Sequence, residues 1–294
     1  MVQGKNKLFR ASFEQSKKIV KKEILTRDGA KIGISSSMSF WTRVSGLIAL
    51  AFSFIMYGVG IYLPDNMRES TKGVQVISES TGTLIGEIGL YLRPLILALV
   101  ILLSVIIILD IFPKINYAYQ LLYGNTFVVI SAIAMLVSSL PLTIGLTIGA
   151  FGVLAFMVQL LISVYLFKIM IVDQMNQFKN SIYNENEVES KDLGTPLMNF
   201  IKKYGGILLG LSVLNRWTFN FGEFSKDNPG LMSFLFGSMF LLFIALLFFA
   251  EGLALKNFIK AFYFFKYRKE YREYFNITNE QWYGKFFARF MSKS

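Results

Sequence analysis

The chain has 294 residues, 54% of them hydrophobic, a mean hydropathy of +0.50 and a formal net charge of +11. It contains no cysteine and no histidine, which excludes disulfides, thiol nucleophiles, Ser-His-Asp hydrolysis, and metal or haem sites built on Cys or His. A soluble domain is nearer 45–50% apolar, and here the excess falls in blocks of about twenty residues, so the chain reads as an all-α polytopic integral membrane protein.

Residues 1–43 carry ten Lys/Arg against three acids. Within them, Phe13, Ile19, Val20, Ile24 and Leu25 recur at mostly helical spacing, with Ser12 as N-cap and Lys17, Lys18, Lys21 and Lys22 between. This pattern predicts a cytoplasmic, basic amphipathic helix lying on the membrane surface. No apolar core follows these charges until residue 44, unlike a signal peptide.

The first span is expected over 44–63, ended by Pro64, with an external loop over 64–87. The second covers 88–109, with Arg93 snorkelling to the outer headgroups. Residues 127–167 then carry no charged residue at all. As one helix they would measure about 60 Å, twice a bilayer core, so the stretch has to fold back. Pro141 and Gly145 place the turn, giving spans 122–142 and 147–167. Residues 168–203, with five basic and five acidic side chains, are expected to form a cytoplasmic loop. A weak fifth span, 204–222, contains Asn215 and Arg216. The sixth, 231–255, contains Glu251. The tail 256–294 carries nine basic and three acidic residues among many aromatics, and reads as a second cytoplasmic basic amphipathic segment.

The fifth span follows from charge placement. With six crossings the two ends share a face and contribute nineteen of the thirty Lys/Arg, as the bias of cations towards the cytoplasm requires. With five, that asymmetry collapses. The transmembrane domain is therefore 44–255, with both termini cytoplasmic in a bacterial plasma membrane. The bacterial assignment is compositional: 21 Lys against 9 Arg, with abundant Phe, Ile and Asn.

Gln159, Asn215, Arg216 and Glu251 are the candidate intramembrane polar residues, costly if they face lipid. Gly82/Gly86, Gly145/Gly149 and Gly206/Gly210 are candidate packing pairs, each placing two glycines on one helix face. Phe258, Phe262 and Phe265, interleaved with Lys266, Arg268, Lys269 and Arg272, join Lys17, Lys18, Lys21 and Lys22 as candidate contacts to anionic lipid. Asn276-Ile277-Thr278 matches a glycosylation acceptor but would lie on the cytoplasmic side.

No phosphate-binding Gly-Lys motif, HExxH or paired-Asp motif occurs. The chain is read as a non-enzyme without cofactor or metal. Its expected partners are anionic lipid and a membrane protein or a second copy of itself, not nucleic acid. The leading expectation is a non-catalytic subunit or accessory factor of a bacterial transport or secretion assembly. The alternatives are a membrane-bound toxin or bacteriocin immunity protein, an ABC-type permease subunit partnered with a separate ATPase, and a small channel or secondary transporter.

Overall fold

A computed structural model describes residues 7–25, 37–69, 77–112, 114–183, 198–199, 202–203, 206, 210 and 231–291. These residues are helical, without a strand among them. The elements are a single turn α1 (Phe13–Ser16), then α2 (Phe40–Glu69), α3 (Glu79–Asp110), α4 (Tyr117–Tyr183), α5 (Leu231–Lys266), α6 (Arg268–Tyr274) and α7 (Asn279–Met291). Among the described residues, α2, α3, α4 and residues Leu235–Lys266 of α5 are long and apolar enough to cross a membrane. The protein is a polytopic, membrane-embedded helical bundle.

Several boundaries differ from those expected, each for a local reason. Pro64 does not end the first span. It lies inside α2, directly after a wide π-helical turn, Gly58–Tyr62, in which the Leu63 N–H reaches back five residues to the Gly58 carbonyl. A proline ring normally collides with the carbonyl four residues before it, here that of Gly60, and the widened turn makes room. Helix α3 starts at Glu79 rather than residue 88, capped by the Ser78 hydroxyl accepting from the Thr81 N–H. The expected external loop is correspondingly short. The first part of the expected loop 168–203 is also helical: a second π turn, Lys168–Asp173, runs into Gln174–Tyr183.

The fold-back in the long apolar stretch is present, but its apex is Gly152, not Pro141–Gly145. Gly152 has φ 80° and ψ 169°, a conformation essentially restricted to glycine. Two arms, 117–151 and 153–183, run back along each other. Sixty-five residues of straight helix would hold Tyr117 and Ile182 about 98 Å apart, yet both join one apolar cluster with Ile259 and Phe264. Pro141 is absorbed within the first arm. The Thr143 and Ser139 hydroxyls donate to the Ser139 and Leu136 carbonyls around it, as hydroxyls do near prolines in membrane helices. Helix α5 lies against both arms. Phe240 meets Phe156 and Phe248 meets Phe167, while Lys256 donates to the Gln174 side chain at 3.0 Å.

The bundle thus has two ends. At one, Gly152 turns the hairpin and Gly82 of α3 passes close to Met67 of α2. At the other, the start of α2, the end of α3, both feet of the hairpin and the end of α5 come together. Residues 12–25 do not form the expected surface helix. They make the turn α1, whose Ser12–Gln15 capping box closes it, and one 3-10 turn, Lys22–Ile24. The expected fifth span 204–222, with Asn215 and Arg216, lies outside the described residues apart from Gly206 and Gly210.

Candidate functional site

The largest apolar core among the described residues sits at the second end of the bundle, built where the two terminal segments clasp each other. Ala11, Ile19, Val20 and Ile24 enter it from the N-terminal segment. Ile259, Tyr263, Phe264 and Tyr271 enter from α5 and α6, and Phe275, Ile277 and Trp282 from the chain beyond. Tyr117 and Phe178, one on each foot of the hairpin, close it from above. The N-terminal segment fails to form a long helix because its apolar side chains are drawn onto this surface and its carbonyls are taken by tyrosines.

Those tyrosines form a ladder. The Tyr263 hydroxyl donates to the Leu8 carbonyl at 2.5 Å and accepts from the Ala11 N–H at 3.1 Å. Tyr267 donates to the Ala11 carbonyl at 2.6 Å. Tyr271 and Ser16 share a 2.6 Å hydroxyl–hydroxyl bond, Tyr183 donates to the Lys7 carbonyl at 2.8 Å and Tyr117 to the Ile24 carbonyl at 2.7 Å. Burial pushes the Tyr271 hydroxyl well above the ordinary tyrosine range; the bond to Ser16 acts the other way. Sequence reading missed this ladder, although Tyr263, Tyr267 and Tyr271 recur every four residues and so share one helix face.

Phe258, Phe262 and Phe265 pack against this core. Phe262 meets Phe9 edge-on at 4.9 Å and Phe265 meets Tyr119 at 4.6 Å. The flanking cations are held as well. Lys266 donates to the Phe9 and Ala11 carbonyls, both at 3.3 Å. Arg268 lies over Tyr119 and Phe265, and Arg272 lies over Trp282 and Tyr283 and bonds Asn279. Lys17 pairs with Glu14 and covers Phe13 and Tyr274. Lys18, Lys21, Lys22 and Lys269 are exposed on the outside. Asn276, at φ 53°, makes the turn between α6 and α7, a conformation that asparagine tolerates better than most residues.

A second polar cluster joins the helix ends beside the clasp. Arg43, 2% exposed, donates from Nη1 to the Ser37 carbonyl at 3.1 Å and from Nε to the Ile111 carbonyl at 3.3 Å. It stands within electrostatic reach of Asp110, which accepts from Gln120 Nε2 at 2.7 Å. Lys114 donates to the Leu109 and Phe112 carbonyls and lies 4.0 Å from the Tyr123 ring centre. Burial holds the Lys114 ammonium below the ordinary lysine range; Asp110 opposes that shift and Arg43 adds to it. Each of these charges marks a span boundary in the sequence, but only the fold brings them together.

Inside the bundle, Gln159 bridges helices. Its Nε2 donates to the Gly237 carbonyl at 2.7 Å, and its Oε1 accepts from the Leu241 N–H at 3.3 Å. Glu251 is half-buried on α5 and has one carboxylate oxygen shielded without a hydrogen-bond partner. The structure does not bring Gln159 and Glu251 together: Gln159 is level with Gly237, fourteen residues up α5. Of the glycine pairs, Gly82 and Gly86 face Met67 and Arg68 of α2, while Gly145 and Gly149 face Ile85 and Thr81 of α3; a Cβ would be tight at Gly82 and would collide with its neighbour at Gly86, Gly145 and Gly149. A Cβ at Gly206 or Gly210 would meet nothing within 4 Å. Among the described residues there is no group of three Asp or Glu placed to hold a metal ion. No known protein family matches the chain, and neither a curated protein nor a solved structure is significantly similar to it.

Proposed function

We propose that the chain is a non-catalytic multi-pass subunit or accessory factor of a bacterial transport or secretion assembly, with six crossings and both termini in the cytoplasm. The observation that supports this is the clasp. Two terminal segments are folded into one compact, basic, aromatic platform on the end of an apolar bundle, with Lys18, Lys21, Lys22 and Lys269 turned outward. A platform of that kind offers a partner a fixed surface, whereas separate lipid-lying helices would not.

The crossing number rests on the two ends of the bundle. Tyr183 bonds Lys7 at the clasp, while Gly237 touches Phe151 at the opposite end. These two points lie at opposite ends of the bundle, which supports the fifth crossing that we propose for 204–222. The cytoplasmic side follows from the nineteen cations of the terminal segments and the positive-inside bias.

Crosslinking in intact membranes, followed by mild-detergent purification of the tagged chain, tests the reading. A stoichiometric membrane-protein partner crosslinked through the clasp is expected. Recovery of the chain alone, as a monomer, overturns it.

A further inference from the structure

The corner where α2 begins and α3 ends is built differently from the rest of the clasp end. Phe40 and Trp41 open α2 with their rings 5.5 Å apart edge-on, and Trp41 is 77% exposed. Phe112 and Ile115, just beyond α3, are 61% and 76% exposed. The two bonds from Arg43, to Ser37 and Ile111, staple these segments into one corner. The rings at 258, 262 and 265 pack against the clasp core, whereas Phe40, Trp41, Phe112 and Ile115 are exposed at this corner.

Lys114 lies in the same connection as Phe112 and Ile115. An ammonium has three donors, and the Leu109 and Phe112 carbonyls take two. The Tyr123 ring beneath, itself anchored by its hydroxyl to the Ile106 carbonyl at 2.6 Å, fixes the position of the head. The nearby charges are Arg43 and Lys114 against Asp110, a surplus of one positive charge at the level where the apolar run of α3 stops.

We propose that this corner binds one anionic phospholipid, its phosphate on Lys114 and its acyl chains along Trp41, Phe112 and Ile115. A cation at the edge of an apolar rim, flanked by an interfacial tryptophan, matches such a lipid in both charge and amphipathicity. Free phosphate would leave the rim uncovered. This site rests only on membrane embedding and is independent of the proposed assembly role.

The test uses the full chain in nanodiscs. Trp217→Phe with Trp282→Phe leaves Trp41 as the single tryptophan of the three. Brominated phosphatidylglycerol in a phosphatidylcholine background is compared with the reverse labelling at equal bromine content. Expected is preferential quenching by phosphatidylglycerol, equivalent to about five-fold local enrichment for one cation, reduced to parity by Lys114→Gln and untouched by inorganic phosphate. Native mass spectrometry of the unsubstituted chain should retain phosphatidylglycerol over phosphatidylcholine and lose that preference in Lys114→Gln. Equal quenching by both lipids, a preference indifferent to Lys114→Gln, or displacement by inorganic phosphate overturns the proposal.

Discussion

Gln159 gives both ends of its side-chain amide to α5, and to two groups with a particular relation. The Gly237 carbonyl and the Leu241 N–H are the pair that an α-helix would ordinarily join to each other. One residue earlier, the Phe240 N–H donates to the Thr147 hydroxyl at 3.2 Å. Side chains from both hairpin arms thus enter the α5 ladder, beside the glycine that lets Phe151 approach. Because Gly237 and Leu241 lie four residues apart in a continuous helix and are each other's ordinary partners, the loss of Gln159 orphans neither backbone group. Gln159→Leu should therefore lower stability by only about 1 kcal/mol, within the range of interhelical side-chain bonds in membranes. Reversible unfolding in bicelles measures it; a loss of several kcal/mol would overturn this. The sequence marks Gln159 plainly as one polar group in an apolar hairpin, but gives no sign of its target, because backbone groups on another helix leave no trace in composition.

At the scale of elements, the clasp and the hairpin show opposite degrees of legibility. The hairpin had to exist, since a charge-free run twice the bilayer thickness has no other course. Its apex was hidden. Pro141 and Gly145 carry the usual breaker signals, but Gly145 is small because Ile85 presses on it, and the actual turn at Gly152 lies in an apolar run with no polar punctuation. The clasp was misread for a related reason. Amphipathic segments with basic flanks look alike whether their apolar face meets lipid or another segment of the same protein. Its energetics can be tested by pH. A tyrosine whose hydroxyl is raised by burial stabilises the fold fully below its unfolded pKa, near 10, and that contribution is lost as pH rises above it, because the unfolded chain then holds fewer protons. Tyr271 is such a group. With Trp41→Phe and Trp217→Phe leaving Trp282 as reporter, its emission should shift to the red as pH climbs beyond about 10, and Tyr271→Phe should make that transition shallower. An emission unaffected by Tyr271→Phe would remove Tyr271 from the alkaline response.

For the whole molecule, the even count of crossings is the statement with most consequences, and it is directly testable because the chain has no native cysteine. Single cysteines at Glu14 and Glu280, both exposed at the clasp end, should react with an impermeant maleimide from one side of the membrane. A cysteine at Glu79, exposed at the far end of α3, should react from the other. Labelling of positions 14 and 280 from opposite sides would dismantle the arrangement. Charge alone led to the expectation of a shared face for the termini, because cation bias is a property of the whole chain. That the two terminal segments pack together was not legible, since contact depends on shape.

The Ala11–Tyr263 bond joins residues 252 apart in sequence. At ribosomal speeds of about 5–20 residues per second, their syntheses are separated by about 13–50 s. For that interval Ile19, Val20 and Ile24 have only the feet of the hairpin, through Tyr117, Phe178 and Ile182, and lack the cover that α5 and α6 supply. The clasp therefore closes only after α5 and α6 have been made, which makes it a late contact in the assembly of the chain.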